Sequence, residues 1–334
     1  MHKRWAMRKA RVLLTGFEPF DGASFNISEK VVSEIKKSGF NEVDLETKIL
    51  TVDERGSRCV SELIMEKEFD CVLQLGFSNK ARKINLESKA VNKINMKIKD
   101  NSEREISNKM VISQGKSELM TTCEELKNLD KTFPEVMFSS DAGTFVCNET
   151  YFRTLHSIFE NNICDRFGRP LPCIFIHLPS KKYVSIPKQI NFISWLINKI
   201  NNKKIIEVVA AIIHNKEGKI LVAKRDNKQP HPGKWEFPGG KLESLELEED
   251  GLKREIFEEL NLNIEILSNC GEITHLYDEY FVKLKAMNAK IDKNSEHMKL
   301  NVHEEILWLS SDDLTTLDWL DANNKLVKII QNHS

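Results

Sequence analysis

Neither sign of charge is in excess: 49 lysines and arginines face 50 aspartates and glutamates, a formal net charge of -1. That balance argues against a nucleic-acid polymer as partner and against a polybasic membrane tail. Long apolar runs are missing too. Stretches such as VVAAII at 208–213 are far too short to span a bilayer. The basic start MHKRWAMRKARVLLTGF offers only VLL before Thr15 and Gly16, which is no signal-peptide core. No CxxC pair occurs among the seven cysteines, and their number is odd. Reduced thiols in a cytoplasmic protein are therefore expected. Internal repeats and low-complexity segments are absent as well. What remains is a chain of 334 residues, 40% hydrophobic and 30% charged. That is a soluble globular composition, long enough for two domains.

The apolar pattern changes along the chain. RVLLTG at 11–16 reads as a first strand ending in a glycine turn, and ISEKVVSEIKKS at 27–38 spaces Ile27, Val31 and Ile35 as a helix does. FDCVLQLG at 69–76 and PCIFIHLP at 172–179 are short, nearly continuous apolar runs. Such runs suit strands covered on both faces, with helices between them. An α/β/α sandwich with an open, mostly parallel sheet is predicted over 1–202, closed by a helix in IPKQINFISWLINKI at 186–200. The polar INNKK at 200–204 marks the boundary. Over 203–334 the pattern is β-rich: two apolar runs flank HNKEGK as in a hairpin, followed by a helix at 247–260, more strands, and a C-terminal helix near 322–332.

The segment GGKLESLELEEDGLKREIFEELNL, from Gly239 to Leu262, is crowded with acids. On a helix, Glu255, Glu258 and Glu259 are related by i, i+3 and i+4, so they share a face. Leu252, Ile256 and Leu260 form an adjacent apolar stripe that can pack on a sheet. Clustered carboxylates repel unless a cation sits among them, and hard oxygen ligands suit Mg²⁺ or Mn²⁺. A solvated acidic face is the bland alternative. The full spacing is more specific. Five residues separate Gly240 from Glu246, and seven separate Glu246 from Arg254-Glu255. This resembles the Nudix box, with Asn261 where the family usually has glycine. The resemblance covers about 205–332 and is closest to the MutT branch, through AKRDN at 223–227, WEFPGGK at 235–241, HEEILWLSSDDL at 303–314 and LDWLDANNKLV at 317–327. It implies a small α/β/α sandwich with a mixed sheet and cleavage of a nucleoside triphosphate to monophosphate and pyrophosphate. It also implies that Glu255, Glu258, Glu259 and the Gly239 carbonyl hold metal, and that Arg254 orients the glutamates. Arg225 would contact phosphate, and Glu305 would be an additional acid at the metal-water site. Glu236, Phe237 and Pro238 would line the base pocket, and Asn323 would read 8-oxoguanine. An Asn side chain offers donor and acceptor together, which suits a purine edge; DANN is also good helix-capping sequence.

A second chemistry lies upstream. In SSDAGTFVCN at 139–148, a small-residue turn leads into a helical pattern with Tyr151 and Leu155 in phase. Cys147 then sits at a helix N-terminus, where the dipole favours thiolate. A nucleophile needs a base, and His177 ends the strand FIHLP, where α/β sheets place catalytic groups. With TGFEPFDG at 15–22 and INLESKAVN at 84–92, these segments resemble pyroglutamyl peptidase I, a cysteine peptidase family, over about 10–200. The resemblance implies Cys147 as nucleophile, His177 as base and Glu87 orienting the imidazole. Phe17, Phe20, Phe145 and Val146 would line an apolar specificity pocket. The chain departs from the family at Phe77, Ser78, Asn79 and Lys80, where a glycine-containing loop is usual, at Lys97, usually arginine, and at Asn26-Ile27, usually Asn-Pro. An intact triad with an altered pocket implies an amide other than the pyroglutamyl bond, and Lys80 and Lys97 suggest an anionic one.

The expectation is a two-domain hydrolase. A Mg²⁺-dependent nucleoside triphosphate pyrophosphohydrolase acting on 8-oxo-dGTP would be joined to a cysteine hydrolase acting on a small amide or peptide. One rival substitutes a cytidine or methylated pyrimidine triphosphate. Another makes the N-terminal domain a non-catalytic module that senses a peptide or nucleotide.

Overall fold

Parallel strands with few polar side chains need cover on both faces, and the first part of the chain supplies it. β1 (Ala10–Phe17), β2 (Val43–Leu50), β3 (Cys71–Phe77), β4 (Ile84–Glu87), β7 (Val136–Ser139) and β8 (Cys173–Leu178) form one sheet in the order β2-β1-β3-β8-β4-β7. β5 (Lys89–Val91) and β6 (Glu118–Met120) make a separate antiparallel pair. Most neighbours in the large sheet run parallel; β4 meets β8 antiparallel. α1 (Ile27–Ser38) and α4 (Ile186–Asn201) cover one face, with Val31, Ile35, Phe192 and Leu196 buried against Leu14, Leu73 and Ile176. α2 (Glu54–Glu66) and α3 (Val146–Glu160) cover the other, with Val60, Tyr151 and Leu155 against Leu13, Val72 and Phe175. The computed structural model describes residues 9–123, 126, 133–201, 204–277, 280–295 and 297–333. By its contacts the chain divides into two units, Met1–Asn202 and Lys203–Ser334.

The second unit is built on a mixed seven-stranded sheet. β9 (Lys204–His214) pairs parallel with β14 (Tyr280–Ile291) and antiparallel with β10 (Ile220–Arg225) and β12 (Gly239–Lys241). β10 also pairs with the short β11 (Trp235–Glu236) and with β15 (His303–Leu309), and β13 (Ile264–Leu276) lies beside β14. α5 (Glu248–Leu260) packs Leu252, Ile256 and Leu260 on one face. α6 (Asp321–His333) packs Leu326, Val327 and Ile330 on the other. Asn261 ends α5 in the left-handed conformation, φ 55° and ψ 34°, which Asn tolerates better than most residues. Both units are thus α/β/α sandwiches. Among the described residues no helix is long and apolar enough to cross a membrane.

Candidate active sites

In the first unit, three strand ends and one helix start meet. Gly76 at the end of β3 lies beside His177 of β8 in parallel register. Glu87, at the end of β4, is opposite Phe175, so it is a diagonal neighbour of His177 on the same face. The His177 Nδ1 lies 2.8 Å from Oε1 of Glu87, whose side chain is fully buried. The other Glu87 oxygen, Oε2, has no hydrogen-bond partner among the described residues. Cys147, the second residue of α3, is half-buried. Burial alone would lower the His177 pKa, but its interactions with the Cys147 sulfur and the Glu87 carboxylate outweigh it and push the imidazole up to about 9. A buried carboxylate beside an imidazole favours the charged ring in this way.

Local structure holds the thiol in place. The Asn148 side chain accepts from the Val91 N–H and donates to the Val91 and Lys93 carbonyls, tying the first turn of α3 to β5. Buried Glu149 pairs with Arg104 and with Arg153, at 2.7 and 2.8 Å. Gly76 makes room: a Cβ there would lie 2.7 Å from the Phe175 ring and 3.0 Å from the Cys147 sulfur. Beside the thiol is a small cavity of about 20 Å³ lined by Phe17, Phe20, Asn26, Val52, Phe77, Phe145, Val146 and Cys147. Phe20 and Phe145 face each other with ring centroids 6.0 Å apart. Lys80 and Lys97 are exposed and form no part of its wall, so the charge that suggested an anionic substrate is not in the pocket lining.

In the second unit the acids of α5 are gathered by one cation. Arg254 lies 2.8 Å from Glu246, 2.9 Å from Glu255 and 3.5 Å from Glu258, and it also donates to the Lys241 carbonyl. Its hydrogen bonds hold the Glu246 carboxyl down at about 2 and raise the guanidinium further above its ordinary value. Glu259 points elsewhere, accepting from the Gly239 N–H at 3.1 Å. Burial pushes its pKa up to about 7; His303 and the Gly239 N–H oppose this, while Glu236 and Glu255 reinforce it. The expected cage of Glu255, Glu258 and Glu259 is therefore not drawn around one point. Among the described residues no group of three such side chains is arranged to hold a metal ion. The physical reason is that adjacent carboxylates separate onto the nearest donors, here Arg254 and a backbone N–H. The donor set still fits a hard divalent cation: half-buried Glu259 has two other carboxylates, Glu236 and Glu255, near it, and a cation would relieve that crowding.

The remaining candidates fall in different surroundings. Arg225 pairs with Glu236 at 2.5 Å and donates from Nε to the Pro230 carbonyl. Glu236 also receives His303 Nε2 at 3.2 Å, making an Arg-Glu-His chain, with Glu236 and His303 buried, that the pattern of the sequence does not announce. Phe237 is buried and stacks on Trp319 at 4.7 Å, and Pro238 is buried too. Glu305 is exposed and lies 4.0 Å from Lys224; His303, Glu236 and Glu255 act on the Glu259 carboxyl. Asn323 is buried inside the first turn of α6. Its Oδ1 accepts from the Phe237 N–H at 3.0 Å. That corrects the capping alternative, since the bond reaches across the fold instead of to its own helix. It also occupies part of the acceptor capacity assigned to base reading.

A family model described as pyroglutamyl peptidase matches residues 10–214, and one described as NUDIX domain matches residues 204–328. A pyrrolidone-carboxylate peptidase of Bacillus cereus (strain AH820) is 27% identical over 172 residues, covering 50% of this chain and 77% of that protein. One of Brachyspira hyodysenteriae is 29% identical over 175 residues, covering 51% and 83%. Among solved structures, the pyrrolidone carboxyl peptidase of Fervidobacterium islandicum AW-1 is similar with a TM-score of 0.51 and 27% identity, covering 58% of this chain and 99% of that one.

Proposed function

Because the chain belongs to the pyroglutamyl peptidase family over residues 10–214 and carries a NUDIX domain over 204–328, we propose that it is a hydrolase with two separate chemistries. The second unit is a nucleoside triphosphate pyrophosphohydrolase requiring Mg²⁺, or Mn²⁺, with 8-oxo-dGTP as substrate. The first is a cysteine amidase whose preferred acyl group is not pyroglutamyl.

The observation that supports the nucleotide reading is the acid set on α5 with its single organising arginine. Glu255, Glu258, Glu259 and the Gly239 carbonyl would hold the ion, which when bound neutralises polyphosphate charge and acidifies a water. Arg254 positions Glu255 and Glu258. Arg225, held by Glu236, would exchange that partner for a phosphate oxygen, a bidentate geometry guanidinium suits. Asn323 retains its Nδ2 and one Oδ1 lone pair for a base edge. Because the Phe237 N–H takes the other lone pair, the pyrimidine triphosphate reading stands as second. A panel of nucleoside triphosphates with Mg²⁺, read by pyrophosphate release, decides between them. Fastest turnover of 8-oxo-dGTP is expected; a preference for dCTP or its methylated form transfers the assignment to the pyrimidine reading, and no turnover of any triphosphate removes both.

For the first unit the supporting observation is the His177 imidazole, hydrogen-bonded to buried Glu87 and raised in pKa by both Glu87 and the Cys147 sulfur at the start of α3. Cys147 Sγ would attack the amide carbonyl, the imidazolium would protonate the leaving amine, and water would release the acid from the thioester. Alkylation of Cys147 across pH tests this: rapid alkylation at neutral pH is expected. A sulfur no more reactive than a free thiol would leave the non-catalytic sensing module as the better reading.

A further inference from the structure

Five cations stand on two short loops of the first unit, and no acid stands with them. Lys80, Arg82 and Lys83 follow β3, Lys181 and Lys182 follow β8, and residues 77–84 and 178–186 hold neither aspartate nor glutamate. All five are exposed. Among the described residues none of them meets a carboxylate, whereas Arg58, Arg104, Arg153 and Arg169 of the same unit all do. The loop after β1, the other neighbour of β3, brings two acids: Glu18, committed to the Val52 N–H and the Asn101 amide, and exposed Asp21. A positive surplus remains. The two loops are also fixed in place. The Ser78 N–H donates to the Leu178 carbonyl and joins them. Ala81 and Val184 are buried, and the Gln189 amide donates to the Pro179 and Val184 carbonyls. Two exposed rings position the charges: Arg82 and Lys182 lie over Tyr183 at 5.9 and 5.8 Å, and Lys181 lies over Phe25 at 5.9 Å. β3 and β8 are the paired strands that carry Gly76 and His177, and both loops leave from the ends where those residues stand. Phe25 adjoins Asn26, a wall residue of the cavity beside Cys147. The cations therefore border the thiol site without entering its wall.

We infer that this rim is a docking surface for an acidic peptide, placed to hold the leaving side of an amide substrate whose carbonyl lies at Cys147. Unneutralised cations beside a cleft attract anions, and the Arg82 guanidinium suits a carboxylate. The rings argue against single-stranded nucleic acid, which stacks its bases on open aromatic faces. Here Tyr183 already carries two cations and Phe25 one. The inference rests on the cysteine-amidase reading for the word leaving, but docking is measurable without turnover. In the full chain, fluorescence anisotropy would compare a labelled peptide GDEYDE with its uncharged isostere GNQYNQ. The acidic peptide should bind about tenfold or more tightly at low salt, the summed effect of several individually weak exposed ion pairs. The difference should vanish at about 0.5 M salt. Lys181→Gln with Lys182→Gln, and separately Arg82→Gln, should each remove most of the preference; these side chains are exposed, so folding is kept. Lys36→Gln with Lys67→Gln loses the same charge before the starts of β2 and β3, at the opposite edge of the sheet, and should leave binding unchanged. Bound GDEYDE should also slow iodoacetamide labelling of Cys147, followed by mass spectrometry of its own fragment. That protection is readable even where Cys147 labels no faster than an ordinary thiol, in which case the amidase reading fails and the docking surface stands. Equal binding of the two peptides, equal loss in the Lys36 and Lys67 control, tighter binding of an oligothymidylate of matched charge, or rim-dependent binding that leaves Cys147 labelling unchanged overturns the inference.

Discussion

Replacing Glu87 by glutamine removes one charge and almost no volume. The glutamine Oε1 can still accept from His177 Nδ1, which lies 2.8 Å from the native oxygen, so geometry should survive. What is lost is the charge that helps hold the imidazole at about 9 against the opposing effect of burial. A hydrogen bond to a charged group contributes roughly 1.5–3 kcal/mol, and each pKa unit corresponds to about 1.4 kcal/mol. The His177 midpoint should therefore fall by about one to two pH units. An NMR titration of the His177 ring in the full chain measures this directly. Stability should follow with a definite sign. The folded pKa lies above the ordinary 6.5, so the stabilising contribution is fully present below about pH 6.5 and is lost as pH rises through about 9. Urea unfolding should show the wild type weakening over that interval and Glu87→Gln weakening less. Since Glu87 Oε2 has no partner among the described residues, the imidazole is the group that answers this carboxylate. An unchanged His177 midpoint in Glu87→Gln would falsify the claim that the carboxylate sustains the imidazolium.

Three further outcomes are expected. Glu258→Gln should lower Mg²⁺-dependent triphosphate hydrolysis at least about a hundredfold with folding retained, because the carboxylate is largely exposed and only 3.5 Å-paired to Arg254; near-normal turnover would contradict the metal assignment. Asn323→Asp keeps the acceptor for the Phe237 N–H but loses the Nδ2 donor, so KM should rise for 8-oxo-dGTP by the equivalent of about 1–3 kcal/mol and hardly at all for dCTP; equal changes would show that Asn323 is structural only. Gly76→Ala places a methyl 2.7 Å from Phe175 and 3.0 Å from the Cys147 sulfur, so stability should fall by about 1–3 kcal/mol and Cys147 alkylation should slow, whereas unchanged alkylation would mean the glycine is not there to clear the thiol.

The two sandwiches and the two families they belong to were readable because the relevant signals are local. Apolar runs at 69–76 and 172–179 mark strands β3 and β8, and the spacing from Gly240 through Glu246 to Glu259 marks α5. The partners of those residues were not readable, because they arrive from far along the chain. His303 reaches Glu236 across 67 positions, and Asn323 reaches Phe237 across 86. Arg104 reaches Glu149 across 45. No periodicity joins such positions, so a single sequence shows the side chains without their pairing. The Glu255, Glu258 and Glu259 face was correctly placed on one helix, yet helical spacing says nothing about where each carboxylate turns. Arg254 and the Gly239 N–H decide that.

The glycines carry the same lesson in physical form. Gly76 and Gly240 stand at strand ends, where glycine is usually explained by a backbone bend. Neither has the positive φ that would make a bend its reason. Each is required instead by a functional side chain opposite: a Cβ at position 76 meets the Cys147 sulfur and the Phe175 ring, and one at 240 runs into the Glu255 carboxylate. The two cases differ in what gives way. Phe175 is fully buried on a central strand, so at Gly76 the intrusion becomes strain in the core. Glu255 is the far end of a flexible chain, so at Gly240 the fold would survive and the carboxylate would move. An alanine at 76 should therefore cost stability as well as thiol reactivity, whereas an alanine at 240 should leave stability nearly intact and act on metal-dependent hydrolysis through Glu255 alone.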